Sequence, residues 1–144
     1  MIRLRFSMRI LFTDLDGVVH PGPKVATGLT HFCWLPDLSR MLASWADIRL
    51  VIHSTWRHQY DLSELREMLG PLSSRVLDVT VGPGRWGSIE GWLSRNPSVR
   101  SFRVLDDEPD EFPHPPPSEL ILCRADMGIS EPAVQVQLRD WLEA

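Results

Sequence analysis

Asp14 and Asp16 stand one residue apart directly behind the apolar run Ile10-Leu11-Phe12. An unbroken apolar run suits a parallel strand covered on both faces, so the acidic pair falls where such a strand leaves its sheet. Carboxylates this close repel one another unless positive charge sits between them. A second pair, Asp106-Asp107, ends the stretch "SFRVL"; the hydroxyls of Ser54 and Thr55 follow "IRLVIH"; and Arg85 precedes a helical pattern. The carboxylates suit Mg²⁺, a hard cation that takes oxygen ligands and keeps several waters. A hydroxyl and an arginine suit phosphate oxygens, the arginine gripping two at once. Asp14 would then face an electrophilic phosphorus with its own charge partly neutralised. The chemistry these residue types point to is attack on a phosphate ester.

Such chemistry needs four separate segments brought to one place, and the chain supplies elements that do so. Pro36, Leu38, Met41, Leu42 and Trp45 have the spacing of an amphipathic helix with proline in its first turn. "IRLVIHSTWR" reads as a second strand. Asp61 and Glu64 form a capping-box pattern ahead of a helix on Leu62, Leu65 and Leu69, which Gly70-Pro71 stops. "RVLDVTV" reads as a third strand and "GRWGSIEGWLSRNP" as a loop entering a helix on Ile89, Trp92 and Leu93. "SFRVLDD" is a fourth strand and "ELILC" a fifth, and Ser130 is placed to cap a last helix carrying Val134, Leu138, Trp141 and Leu142. The segment after the first strand, "HPGPKVATGLTHF", reads as an irregular excursion or small hairpin. Strands alternating with helices predict one α/β domain: a Rossmann-like three-layer fold with a mainly parallel five-stranded sheet. Ligands of such sheets bind beyond the carboxyl ends of the strands, where every polar cluster above falls.

Composition narrows the reading. The chain has 144 residues and a net charge of −4, which gives nucleic acid or an anionic membrane no general attraction. Cys33 and Cys123 fit neither zinc spacing nor a CxxC motif, and as two buried free thiols they suit a reducing cytoplasm. No apolar run approaches the length of a membrane span. The first strand begins only after Met8, so residues 1–7 are expected to contribute little, and Met8 is an alternative start to Met1.

"DLDGV" after an apolar strand, "VIHSTWR", a basic residue before a helix, and "VLDD", in that order, resemble the haloacid dehalogenase-like (HAD) phosphohydrolases. The resemblance covers nearly the whole chain. "STWR" and the short length are similar to a bacterial subgroup that includes the HAD domain of multidomain RNA-repair proteins. The resemblance implies that Asp14 is the nucleophile and forms an aspartyl-phosphate, while Asp16 protonates the leaving group and then activates water. It implies phosphate binding by Ser54, with Thr55 as second choice. Asp106 would hold Mg²⁺ with Asp14 and the backbone carbonyl of Asp16, supported by Asp107 or Asp110. Arg85 stands where the family often has lysine. Family members often insert a cap domain after the first or third strand, and this chain has no room for one. An open site suits a large phosphorylated substrate, such as a nucleic-acid end or a phosphoprotein, or requires a second copy of the chain to cover it. A different class of reading is a catalytically idle HAD-like module that binds a phosphorylated ligand or partner.

Residue by residue there are plainer readings. Ser54 and Thr55 could simply cap the next segment, and Asp106-Asp107 could favour a helix start. His53 reads as an interior-facing strand residue. His20, His31 and Lys24 lie in the excursion near where substrate would enter. The six tryptophans read mostly as core.

Overall fold

The computed structural model describes residues 8–26 and 28–144; the proposed N-terminal extension, residues 1–7, lies outside them. Five strands form a single sheet in the order β3-β2-β1-β4-β5, and every pairing is parallel. β1 (Arg9–Thr13) is central, aligned with β2 (Ile48–Ile52) from Arg9↔Ile48 to Thr13↔Ile52. On its other side it pairs with β4 (Ser101–Asp106) from Arg9↔Ser101 to Thr13↔Leu105. β3 (Val76–Val79) and β5 (Leu120–Leu122) form the edges. The chain runs outward from β1 to β3 and then crosses back to β4, so strand order reverses at β1. A crevice opens at such a reversal, beyond the carboxyl ends of the strands.

Alternate residues of the inner strands feed two separate cores, as the two-residue repeat of a strand requires. Leu11, Leu50, Ile52 and Leu105 face α1 (Leu35–Leu42), α2 (Leu62–Met68) and α4 (Pro132–Glu143). Ile10, Phe12, Val51 and Val104 face α3 (Arg85–Arg95) through Ile89 and Trp92. The Phe12 and Trp92 rings meet edge to face with centroids 5.6 Å apart. Each large side chain buried this way contributes about 1.5–3 kcal/mol. At the amino end of the sheet the buried Arg9 guanidinium is fully engaged. Its Nε donates to Asp47 at 2.7 Å and its Nη1 to the carbonyls of Trp141 and Leu142.

The expected α/β fold is the observed one, and the sheet is wholly rather than mainly parallel. The Asp61 capping box forms with both of its hydrogen bonds: Glu64 N–H to Asp61 Oδ1 at 2.8 Å, and Asp61 N–H to Glu64 Oε1 at 3.1 Å. Of the two readings of the excursion after β1 the irregular one holds: among the described residues its one sheet-like feature is an isolated bridge between Asp16 and His20. Two local expectations need correction. Ser130 does not cap α4: it ends a short turn, Gly128–Ser130, and donates to the Met127 carbonyl, while Pro132 takes the first helical position. Cys33 is half-buried rather than buried; Cys123 is buried, and both are free thiols. No described helix is long and apolar enough to cross a membrane.

Candidate active site

β1 delivers Asp14 to the carboxyl edge of the sheet, where its N–H donates to the Leu105 carbonyl at 3.0 Å. That bond continues the β1–β4 ladder by one residue, so Asp14 is fixed by backbone as well as by side chain. Its Oδ1 accepts the Leu15 N–H at 2.8 Å. Its Oδ2 accepts from Arg85 Nη1 at 2.9 Å, and the same Nη1 donates to Asp106 Oδ1 at 2.7 Å. One guanidinium nitrogen thus bridges the ends of two neighbouring strands. Asp106 Oδ1 also accepts the Glu108 N–H at 2.9 Å.

Asp14, Asp106 and Asp107 each turn a carboxylate oxygen into one space, all within 4.8 Å of one another. Asp110 lies on the exposed turn Pro109–Glu111, apart from this cluster. Gly17 makes room for Asp107. It has φ +77°, and a Cβ added there would lie 2.1 Å from Asp107 Oδ2. Burial, followed by the charge of Asp106, raises the Asp14 pKa from 3.8 to about 7. Burial likewise raises Asp107 to about 6, against a hydrogen bond it shares with Asp14. Three carboxyl groups turned into one space are an all-oxygen donor set that fits a hard divalent cation. Burial alone would depress Arg85, but the charges of Asp14 and Asp106 raise its pKa.

A family model described as the HAD domain in Swiss Army Knife RNA repair proteins matches residues 10–134. The chain belongs to this HAD family. The family is of phosphohydrolase type. Among curated proteins and among solved structures, nothing matches the chain. The match spans all five strands, and among the described residues the HAD domain carries no inserted cap.

The remaining expected site residues of the HAD domain lie on the segment after β2. Ser54 is fully buried, and its Oγ accepts the Trp56 N–H at 3.2 Å, capping the short turn Thr55–His58. The capping role considered for it is therefore present, and it leaves the hydroxyl proton uncommitted by that bond. Thr55 is exposed on the turn. Asp16 is separated from the carboxylate cluster: its Oδ1 meets His20 Nε2 at 2.8 Å and its Oδ2 accepts the Trp56 indole N–H at 3.1 Å. Arg85 opens α3 behind Gly84.

Four residues in the site were not assigned to it from sequence. His53 has no exposed surface and places Nε2 2.7 Å from Asp106 Oδ2, so its interior-facing reading was right but incomplete. His20 is buried beneath Asp16 instead of lining an entrance. Trp56, read as core, contributes a polar N–H to Asp16. Arg57 donates to the carbonyls of His53 and Ser54, and to Gly82 and Gly84 at 2.8 and 3.3 Å. It ties the Ser54 segment to the loop that launches Arg85. The available signal was the motif itself: in "HSTWR" every residue but Thr55 makes one of these contacts. His31 and Lys24 are exposed, and the His31 ring lies 4.7 Å from that of His20.

Proposed function

We propose that this HAD domain is a Mg²⁺-dependent phosphohydrolase working through an aspartyl-phosphate on Asp14. The observation that carries the reading is the convergence of Asp14, Asp106 and Asp107 within 4.8 Å, with Arg85 bridging the first two. Asp14, Asp106 and Asp107, with the backbone carbonyl of Asp16, would hold the cation. Bound there, Mg²⁺ supplies the positive charge that keeps the buried Asp14 ionised and offsets the charge of the incoming phosphate.

Asp14 attacks phosphorus, forming an acyl-phosphate bond as the bond from phosphorus to the leaving oxygen breaks. Asp16 gives that oxygen its proton. Water then attacks the same phosphorus, Asp16 takes the water's proton, and the Asp14–phosphorus bond breaks to release inorganic phosphate. Arg85 holds phosphate oxygens through the guanidinium that otherwise bridges Asp14 and Asp106, and the Ser54 hydroxyl donates to another.

The absence of a cap among the described residues suits a substrate too large to be enclosed. A phosphorylated nucleic-acid end is the first class to test, because the family description concerns RNA repair. The net charge of −4 means that recognition would rest on the phosphate and local contacts instead of general attraction. Hydrolysis of an aryl phosphate with Mg²⁺, abolished by EDTA and restored by added Mg²⁺, tests the mechanism. A panel of 3′- and 5′-phosphorylated oligonucleotides, phosphopeptides, nucleotides and sugar phosphates tests the substrate. Turnover undiminished in metal-free buffer overturns the mechanism; phosphate binding without turnover favours the idle binding module.

A further inference from the structure

The two oxygens of Asp16 are held from opposite segments of the chain. His20, at the end of the tight turn that begins at Gly17, places Nε2 2.8 Å from Oδ1. Trp56, on the turn after β2, donates its indole N–H to Oδ2 at 3.1 Å. The tautomer of His20 follows from a third contact. The backbone N–H of Phe32 lies 3.1 Å from Nδ1 and can only donate, so Nδ1 carries no proton and Nε2 must. Both partners of Asp16 are therefore donors. An Nδ1 that accepts the Phe32 N–H makes the ring neutral, and burial lowers the His20 pKa in the same sense, against the hydrogen bond to Asp16 that raises it.

The backbone is bent to make this arrangement. Phe32 has φ +61°, the only positive φ among the described non-glycine residues, and it is this residue that aims its N–H at His20. A phenylalanine held in the left-handed region costs roughly 1–2 kcal/mol. Strain of this kind persists where surrounding contacts fix it, and here they do. The Phe32 ring packs edge-on against His20 and Trp56, with centroids 5.2 and 5.6 Å away. His20 and Trp56 also contact each other, at 5.4 Å. The clamp joins these three side chains and one backbone group around a half-exposed carboxylate, with the exposed His31 ring packed over it, 4.7 Å from His20 and 5.4 Å from Trp56.

We infer that His20 and Trp56 are positioning residues that aim Asp16 at the leaving group and later at the attacking water. The inference rests on the phosphohydrolase reading, in which Asp16 is the proton carrier. A loose aspartate would still bear charge but would spend most of its time misdirected, so the loss falls on proton transfer rather than on substrate binding.

The test uses the full chain with Mg²⁺ and two substrates, an aryl phosphate that leaves without help and an alkyl phosphate that needs a proton. His20→Leu and Trp56→Phe are expected to lower kcat on the alkyl ester about tenfold or more, with KM little changed and a smaller loss in the phosphorylation step with the aryl ester. His20→Gln restores much of the loss, because one amide can give N–H to Asp16 and accept from Phe32. In an Asp16→Asn background neither substitution costs anything further. The imidazole ¹⁵N spectrum of the wild-type protein shows His20 protonated at Nε2. Equal losses on both esters, a loss that persists in Asp16→Asn, or a His20 protonated at Nδ1 overturns the clamp. A wild-type chain inert toward every phosphate ester overturns the phosphohydrolase reading and the catalytic use of the clamp with it. In that case the ¹⁵N spectrum still decides the hydrogen-bond assignment.

Discussion

His53 Nε2 lies 2.7 Å from Asp106 Oδ2, and neither side chain has any exposed surface. The other ring nitrogen, Nδ1, has no hydrogen-bond partner, so the imidazole is anchored through Asp106. Removing that partner leaves a buried carboxylate short of a donor. His53→Leu is expected to cost about 2–4 kcal/mol, since hydrogen bonds to charged groups are the strong ones and buried charges tolerate their loss poorly. Urea unfolding without metal measures it. A midpoint equal to that of the wild-type protein would mean that Arg85 and the Glu108 N–H satisfy Asp106 unaided.

Acidity within the cluster makes stability depend on pH. In the unfolded chain Asp14 and Asp107 ionise near 3.8; in the folded chain burial raises them to about 7 and about 6. The folded state therefore holds more protons between those values. The contribution is fully present below the unfolded pKa and is lost as pH rises through the folded pKa. His20, lowered by burial, slopes the other way. The clean measurement is thus the difference between wild type and Asp14→Asn in metal-free buffer. The variant should gain on the wild type from about pH 4 to about pH 7, between the unfolded and folded pKa of Asp14. Saturating Mg²⁺ should close the gap at the upper end by favouring the ionised carboxylates. A difference that stays flat with pH would show that Asp14 ionises normally.

Gly17→Ala combines two faults, a left-handed backbone and a Cβ 2.1 Å from Asp107 Oδ2. Gly84→Ala has only the first, since φ is +75° and nothing lies within 4 Å of the added carbon. The backbone fault costs roughly 1–2 kcal/mol in either variant. Only Gly17→Ala must also push Asp107 out of the carboxylate cluster, so it alone should weaken Mg²⁺ binding by calorimetry. Equal Mg²⁺ affinities would remove Asp107 from the ligand set.

Asp14 and Asp16 should fail differently. Asp14→Asn removes the nucleophile, so aryl phosphate leaves no adduct by intact mass. Asp16→Asn keeps the nucleophile and loses the proton carrier, so the adduct should form slowly and then stall, with substrates of poor leaving group suffering most. An adduct on Asp14→Asn would move the nucleophile elsewhere.

The fold was legible because strand, helix and turn signals were local and agreed with one another. Ile10-Leu11-Phe12, the Asp61 capping box and the apolar spacing through Leu142 each needed only their neighbours. The excursion after β1 was not legible, because its shape is set by contacts far along the chain. One of these is the Gly22 N–H to the Ala125 carbonyl; another is the bond from the Ile129 N–H to the Val18 carbonyl. Site membership divides along the same line. Asp14, Asp106 and Arg85 announce themselves by charge at element ends. Trp56 and His20 look like ordinary amphipathic residues until the fold brings them to Asp16, and Ser130 is taken up by its own short turn, which leaves Glu131 at the cap position of a helix that starts at Pro132.

β1 is the first of the sheet's five strands to be made and its middle strand, pairing with Ile48–Ile52 on one side and Ser101–Asp106 on the other. During synthesis, then, its second edge stays bare until Ser101–Asp106 has left the ribosome. The segment that finally covers it also carries Asp106. A product truncated before Ser101 would be a sticky half-sheet, prone to associate through the unpaired backbone edge of β1 and without Asp106 and Asp107 to hold a cation. Solubility and the capacity for chemistry therefore arrive together, with the same stretch of chain.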